Sequence, residues 1–63
     1  MTISQQNIEN ETYTKAITFD RCNITKCHFT KKCTFDRCNL LDCEFDVECE
    51  FIKSNVETSE LFN

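Results

Sequence analysis

The chain has no glycine, no proline and no tryptophan among its 63 residues. The first two absences remove the usual means of turning a chain. Glycine supplies positive φ and proline presets φ in most tight turns. A fold rich in hairpins is therefore excluded, and the chain must turn its corners in another way. A glycine-rich phosphate loop is excluded with it. No apolar run is long enough to cross a membrane as a helix. The opening MTISQQNIENE is polar and lacks the apolar stretch of a secretory signal. The expectation is a cytoplasmic protein, in a bacterial host cell if a phage encodes it, with its thiols reduced.

The length, 63 residues, suits one domain over 1–63. A chain this short buries only about 60% of its unfolded surface, so something must add to its stability.

What is present is a repeat. Apolar residues recur every five positions: Phe19, Ile24, Phe29, then Phe35, Leu40, Phe45, then Phe51, Val56, Leu61. Two positions before each stands a small or aliphatic residue: Ile17, Cys22, Cys27, Cys33, Cys38, Cys43, Cys49, Ser54 and Ser59. A polar residue separates the two. Alternation puts the small and the large side chain on one face of a short strand. The remaining residues turn a corner, so the chain winds into a parallel β-helix.

One extra residue follows every third quintet, which gives blocks 1–16, 17–32, 33–48 and 49–63. The second and third blocks share TFDRCN. One column is all asparagine: Asn7, Asn23, Asn39 and Asn55. The expected fold is all-β, a small parallel solenoid of about four 16-residue coils with sides of five, five and six. Stacked asparagines form a hydrogen-bonded ladder in such a coil. Residues 1–16 are expected to be an atypical N-terminal cap coil, frayed or deviating, because Gln6 and Glu11 fall at inward positions that resist burial. Residues 17–63 form the regular coils.

Segments CNITK, CNLLD and SNVET, and more loosely CTFDR, CHFTK and CEFDV, resemble the motif of the pentapeptide-repeat family. The resemblance covers roughly residues 17–61. It implies a right-handed, four-sided β-helix, and the best understood members inhibit or protect DNA gyrase by imitating DNA. The extra residue after every third quintet departs from that pattern and favours three sides. A four-sided helix with bulges is the alternative.

All six cysteines occupy the small inward position and read as core filling. A disulfide framework is a second reading, and zinc a third with poor ligand spacing. His28, the single histidine, points away from Cys27 because neighbouring side chains on a strand face oppositely. No catalytic, cofactor or metal constellation is expected.

The charge is uneven. Residues 1–41 hold six Lys/Arg and four Asp/Glu, and residues 42–63 hold one Lys and seven Asp/Glu. Asp42, Glu44, Asp46, Glu48 and Glu50 alternate with Cys43, Phe45, Val47 and Cys49, which reads as one acidic outward face with a spacing of about 7 Å if extended. The functional expectation is a non-catalytic, acidic mimic of nucleic acid. Its partner would be a protein with a basic nucleic-acid-binding surface, such as gyrase, a restriction enzyme or a CRISPR effector. Direct nucleic-acid binding and membrane binding are not expected. Tiny acidic proteins of this kind resemble accessory proteins of phages and mobile elements. The alternative is a structural module that self-associates through a solenoid end, as a homodimer using Val56, Leu61 and Phe62. An ice-binding surface is a weaker reading, since the threonine columns break at Asp46 and Glu50.

Overall fold

The computed structural model describes residues 1–57, which wind as a parallel β-solenoid of about four turns. The first coil holds β1 (Thr2–Ser4), β2 (Asn7–Glu9) and β3 (Thr12–Tyr13). The second holds β4 (Thr18–Asp20), β5 (Asn23–Thr25) and β6 (His28–Phe29). The third holds β7 (Thr34–Asp36), β8 (Asn39–Leu41) and β9 (Glu44–Phe45). The last begins with β10 (Glu50–Ile52) and β11 (Asn55–Glu57). Three parallel sheets result, ordered β1-β4-β7-β10, β2-β5-β8-β11 and β3-β6-β9. Thr2 pairs with Thr18, Phe19 with Phe35 and Asn39 with Asn55, so the register is sixteen residues throughout. The solenoid has three sides, and the four-sided alternative does not apply.

The corners show how a chain without glycine turns. Among the described residues, seven take a left-handed φ between 48° and 58°: Gln5, Asn10, Arg21, Lys26, Arg37, Asp42 and Lys53. They fall in two columns, one at each of two corners. Asparagine and aspartate tolerate this conformation, whereas lysine, arginine and glutamine there cost about 1–2 kcal/mol. In the first three coils each of these corner N–H groups offsets part of that cost by donating to a carbonyl one coil on. Arg21 donates to Asp36 at 2.8 Å and Lys26 to Leu41 at 2.9 Å. The third corner is longer and, among the described residues, uses no positive φ. It runs from Thr30 to Cys33 between β6 and β7, and it absorbs the extra residue of each coil.

The interior is two aromatic columns and one aliphatic column. Phe19, Phe29 and Phe35 are wholly buried. Fully burying such a side chain contributes about 1.5–3 kcal/mol. Phe19 stacks on Phe35 at 5.2 Å and Phe35 on Phe51 at 5.3 Å. Tyr13, Phe29 and Phe45 stack beside them and meet them edge to face, as between Phe29 and Phe35 at 5.0 Å. Ile8, Ile24, Leu40 and Val56 form the aliphatic column. On the surface of the same sheet, the asparagine ladder forms as expected. Asn23 Nδ2 donates to Asn7 Oδ1 at 3.0 Å, Asn39 to Asn23 at 3.1 Å and Asn55 to Asn39 at 3.0 Å.

The cysteines are free thiols, and five of the six are buried. They do more than fill space. The N–H of an inward residue at a corner turns into the coil, where a buried donor without a partner is costly. The sulfur one coil on accepts it. Cys22 N–H donates to Cys38 Sγ, Cys33 N–H to Cys49 Sγ and Glu11 N–H to Cys27 Sγ, each at 3.4 Å. Ser54 takes the same role for Cys38 at 3.0 Å. Each thiol in turn has a backbone carbonyl within reach of its one S–H, as Cys38 Sγ lies 3.4 Å from both Phe19 O and Asp36 O. Burial, above all, holds Cys27, Cys33, Cys38 and Cys43 above the ordinary thiol pKa. They stay protonated near neutrality and are poor nucleophiles.

The first coil corrects an expectation. It neither frays nor deviates; β1, β2 and β3 keep full register with the second coil. Gln6 and Glu11 are exposed although they stand in inward columns. No described coil lies outside them, so the rim of the solenoid leaves their polar groups in water. Burial was the wrong assumption for a terminal coil.

Two stability predictions follow from the corners. Lys26→Ile is expected to cost about 1–2 kcal/mol in urea unfolding, because a branched side chain resists left-handed φ, while Lys26→Gly costs nothing comparable. Cys38→Val is expected to cost about 1–3 kcal/mol through the unpaired Cys22 N–H. Cys38→Ser should be the milder of the two, although serine is the more polar. The reverse order in urea unfolding would mean that the sulfur only fills volume.

Candidate functional site

The acidic residues do not form one straight face. Asp42 sits at a left-handed corner with φ 57°. Glu44 opens β9 and lies beside His28 of the neighbouring strand. Asp46 follows β9, and its N–H donates to Phe29 O at 3.0 Å. Glu48 lies in the third corner and Glu50 opens β10, opposite Thr34. The five therefore spread over two corners and the side between them: Asp42 at the corner before β9, Glu44 and Asp46 along the β3-β6-β9 side, Glu48 in the next corner and Glu50 at the start of β10. The expectation of a single extended stripe fails because the two-residue alternation ends at Phe45. The corner that follows has no such period, and Val47, read as inward, is 42% exposed. The 7 Å spacing of an extended strand does not hold across that corner.

Charge partners differ along this edge. His28 Nε2 lies 2.8 Å from Asp46 Oδ1. The hydrogen bond to Asp46 raises the His28 pKa, and the nearby charges of Asp46 and Glu44 add to the effect. His28 faces outward as expected, while Cys27 is buried, so the two do not meet. Yet the histidine is tied to an acid rather than merely solvated. That link joins residues 18 apart, diagonal neighbours in a sixteen-residue stack. Lys31 and Lys32 occupy the third corner one coil before Val47 and Glu48, so the same edge changes from basic to acidic along the axis.

The Arg21, Arg37 and Lys53 column lies where the repeat places it. Arg21 Nε is 3.9 Å from Asp20 and Arg37 Nε 3.7 Å from Asp36, with the arginines half exposed and the aspartates less so. Exposed pairs of this kind contribute little. Among the described residues no cluster of His, Cys, Asp and Glu is arranged to hold a metal ion.

The two ends of the solenoid are unlike. Among the described residues, apart from Met1, the exposed large apolar side chains are Leu41, Val47, Phe51, Ile52 and Val56, all after residue 40. Val56 is 40% exposed on β11 and Phe51 41% exposed on β10. Leu61 and Phe62 lie outside the described residues. No helix among the described residues is long and apolar enough to cross a membrane.

The exposure of Leu41 and Ile52 is marked in the sequence only by a break in their columns. Leu41 and Ile52 occupy outward positions that are polar in other coils, and that break in the columns is the signal that marks them. No family model matches the chain, and neither a curated protein nor a solved structure matches it at a significant level.

A titration tests the His28 site. His28 should titrate above the ordinary histidine value of about 6.5 in NMR spectra, and Asp46→Asn should bring it back toward that value. Because the folded pKa is raised, the stabilisation from this contact is present below the ordinary value and lost as pH rises through the folded one. An Asp46→Asn variant with an unchanged His28 titration would contradict the contact.

Proposed function

We propose that the chain is a non-catalytic binding protein whose acidic edge engages the basic, nucleic-acid-binding surface of a protein assembly. Glu44, Asp46, Glu48 and Glu50 carry the contact, with Asp42 beside them. The observation behind this reading is the run of outward acids along the β9 side and its flanking corners, in a chain whose residues 42–63 hold seven acids against one lysine. A field of one sign steers a basic partner and suppresses acidic ones. The quintets lend support, since they resemble pentapeptide repeats and that family includes imitators of DNA. Gyrase, a restriction enzyme or a CRISPR effector in a bacterial cytoplasm fits the required basic cleft. The bent acidic edge imitates the charge of nucleic acid rather than the regular spacing of a strand.

A second reading is self-association as a homodimer through the C-terminal end, favoured by the exposure of Phe51 and Val56. Association of that kind adds stability to a small domain. It brings two acidic ends together, so it should strengthen as salt rises. In light scattering, Val56→Asp should then convert a dimer to a monomer.

The acidic reading is tested by capture from bacterial lysate, with and without competing DNA. Joint replacement of Glu44, Asp46 and Glu48 by Lys is expected to abolish capture of the DNA-competed partner while circular dichroism stays the same. Undiminished capture by that variant would overturn the reading.

A further inference from the structure

The two ends of the solenoid carry different residues at their inward positions. At the N-terminal end these include Gln6 and Glu11. Anything stacked there desolvates an amide and a carboxylate, which is costly without new partners. At the C-terminal end they are Cys49, Phe51, Ser54 and Val56, none of them charged. Only the second end can be covered cheaply.

The backbone there is also incomplete. Along one sheet the same hydrogen bonds recur at every coil. Thr18 N–H donates to Met1 O, Thr34 N–H to Ile17 O, and Glu50 N–H to Cys33 O at 3.0 Å. The next acceptor in that series is Cys49 O. In the other direction Gln5 N–H donates to Asp20 O, Arg21 N–H to Asp36 O, and Arg37 N–H to Ile52 O at 2.8 Å. The next donor is Lys53 N–H. Among the described residues nothing fills either place. Beside this edge stand Glu48 and Glu50, and at its centre stands Phe51, the exposed end of an aromatic column.

We infer that the outer edge of β10 takes up an extended, basic segment of a protein partner as a further parallel strand. This rests on the reading of the acidic edge as the binding surface and names how the partner is held. Main-chain pairing supplies the attachment, and alternate side chains supply selectivity. The residue over Phe51 is apolar and continues the stack. Its neighbour over Glu50 is Lys or Arg. Charge selects this occupant over a second copy of the chain. Stacking head to tail buries Gln6 and Glu11, and stacking tail to tail sets Glu48 and Glu50 against their own kind. Like charges placed opposite one another on paired strands are unfavourable.

The test uses the full chain and a fluorescent peptide of sequence KVKFKVK, capped at both ends. A second peptide is identical but methylated on its central backbone nitrogens, so it keeps every charge and loses the donors. The first is expected to bind and to slow hydrogen exchange of the Lys53 amide. The second is expected to bind about tenfold more weakly, the effect of losing roughly two hydrogen bonds. Glu50→Lys should weaken the first peptide. Equal binding of both peptides, abolished by charge reversal of Glu44, Asp46 and Glu48, overturns strand addition and leaves the acidic surface standing. Binding of neither overturns both readings. A Lys53 amide already protected in the free, dilute chain shows the edge covered by the chain itself and overturns the inference too.

Discussion

Everything in this molecule depends on what happens to one backbone N–H at each corner. A chain with no glycine turns by placing Arg, Lys, Gln, Asn or Asp in left-handed φ. After Asn10, Arg21 and Arg37 the next residue directs its N–H toward a side chain one coil on. A buried donor needs an acceptor, and a bulky side chain leaves no room for one. A small side chain with a lone pair, stacked one coil away, meets both demands. Cysteine and serine at these positions follow from that geometry. So does the sixteen-residue register, because an acceptor displaced by one position along the coil points out of reach.

The same stacking decides where function can reside. A thin coil keeps its apolar columns inside and turns its polar and charged residues to surfaces and ends. The acidic edge and the exposed Phe51 and Val56 meet at one end. The other end exposes Gln6 and Glu11 instead. A solenoid with unlike ends has a direction, and the proposed partner arrives at the acidic, apolar end. His28 moderates the edge nearby, since its bond to Asp46 neutralises one acid at low pH and releases it as pH rises.

Much of this was legible from the residues alone. Four aligned asparagines and the paired Phe19 and Phe35 columns define sixteen residues per turn, and three quintets plus one residue per turn define three sides. The polar ladder and the outward His28 follow from stacking and alternation. Three features were not legible. Left-handed corners leave no mark when Lys26 and Arg37 adopt them, since neither residue favours that conformation. The sulfur ladder was hidden because a cysteine that accepts an N–H looks the same in sequence as one that only fills volume. The acidic alternation from Asp42 to Glu50 continued on paper past Phe45, where the strand ends and the chain bends. Period two holds inside a strand and fails at its corner, which is why Val47 stands exposed rather than inward.

The central claim is the sixteen-residue stack, and through-space NMR contacts test it most directly. Ring protons of Phe19 should show contacts to those of Phe35, whose centroid lies 5.2 Å away, and Asn23 side-chain amide protons to those of Asn39. Stacked like residues in the columns are then sixteen apart. Contacts between residues twenty apart, with Phe19 and Phe35 silent, would indicate a four-sided coil and contradict the account.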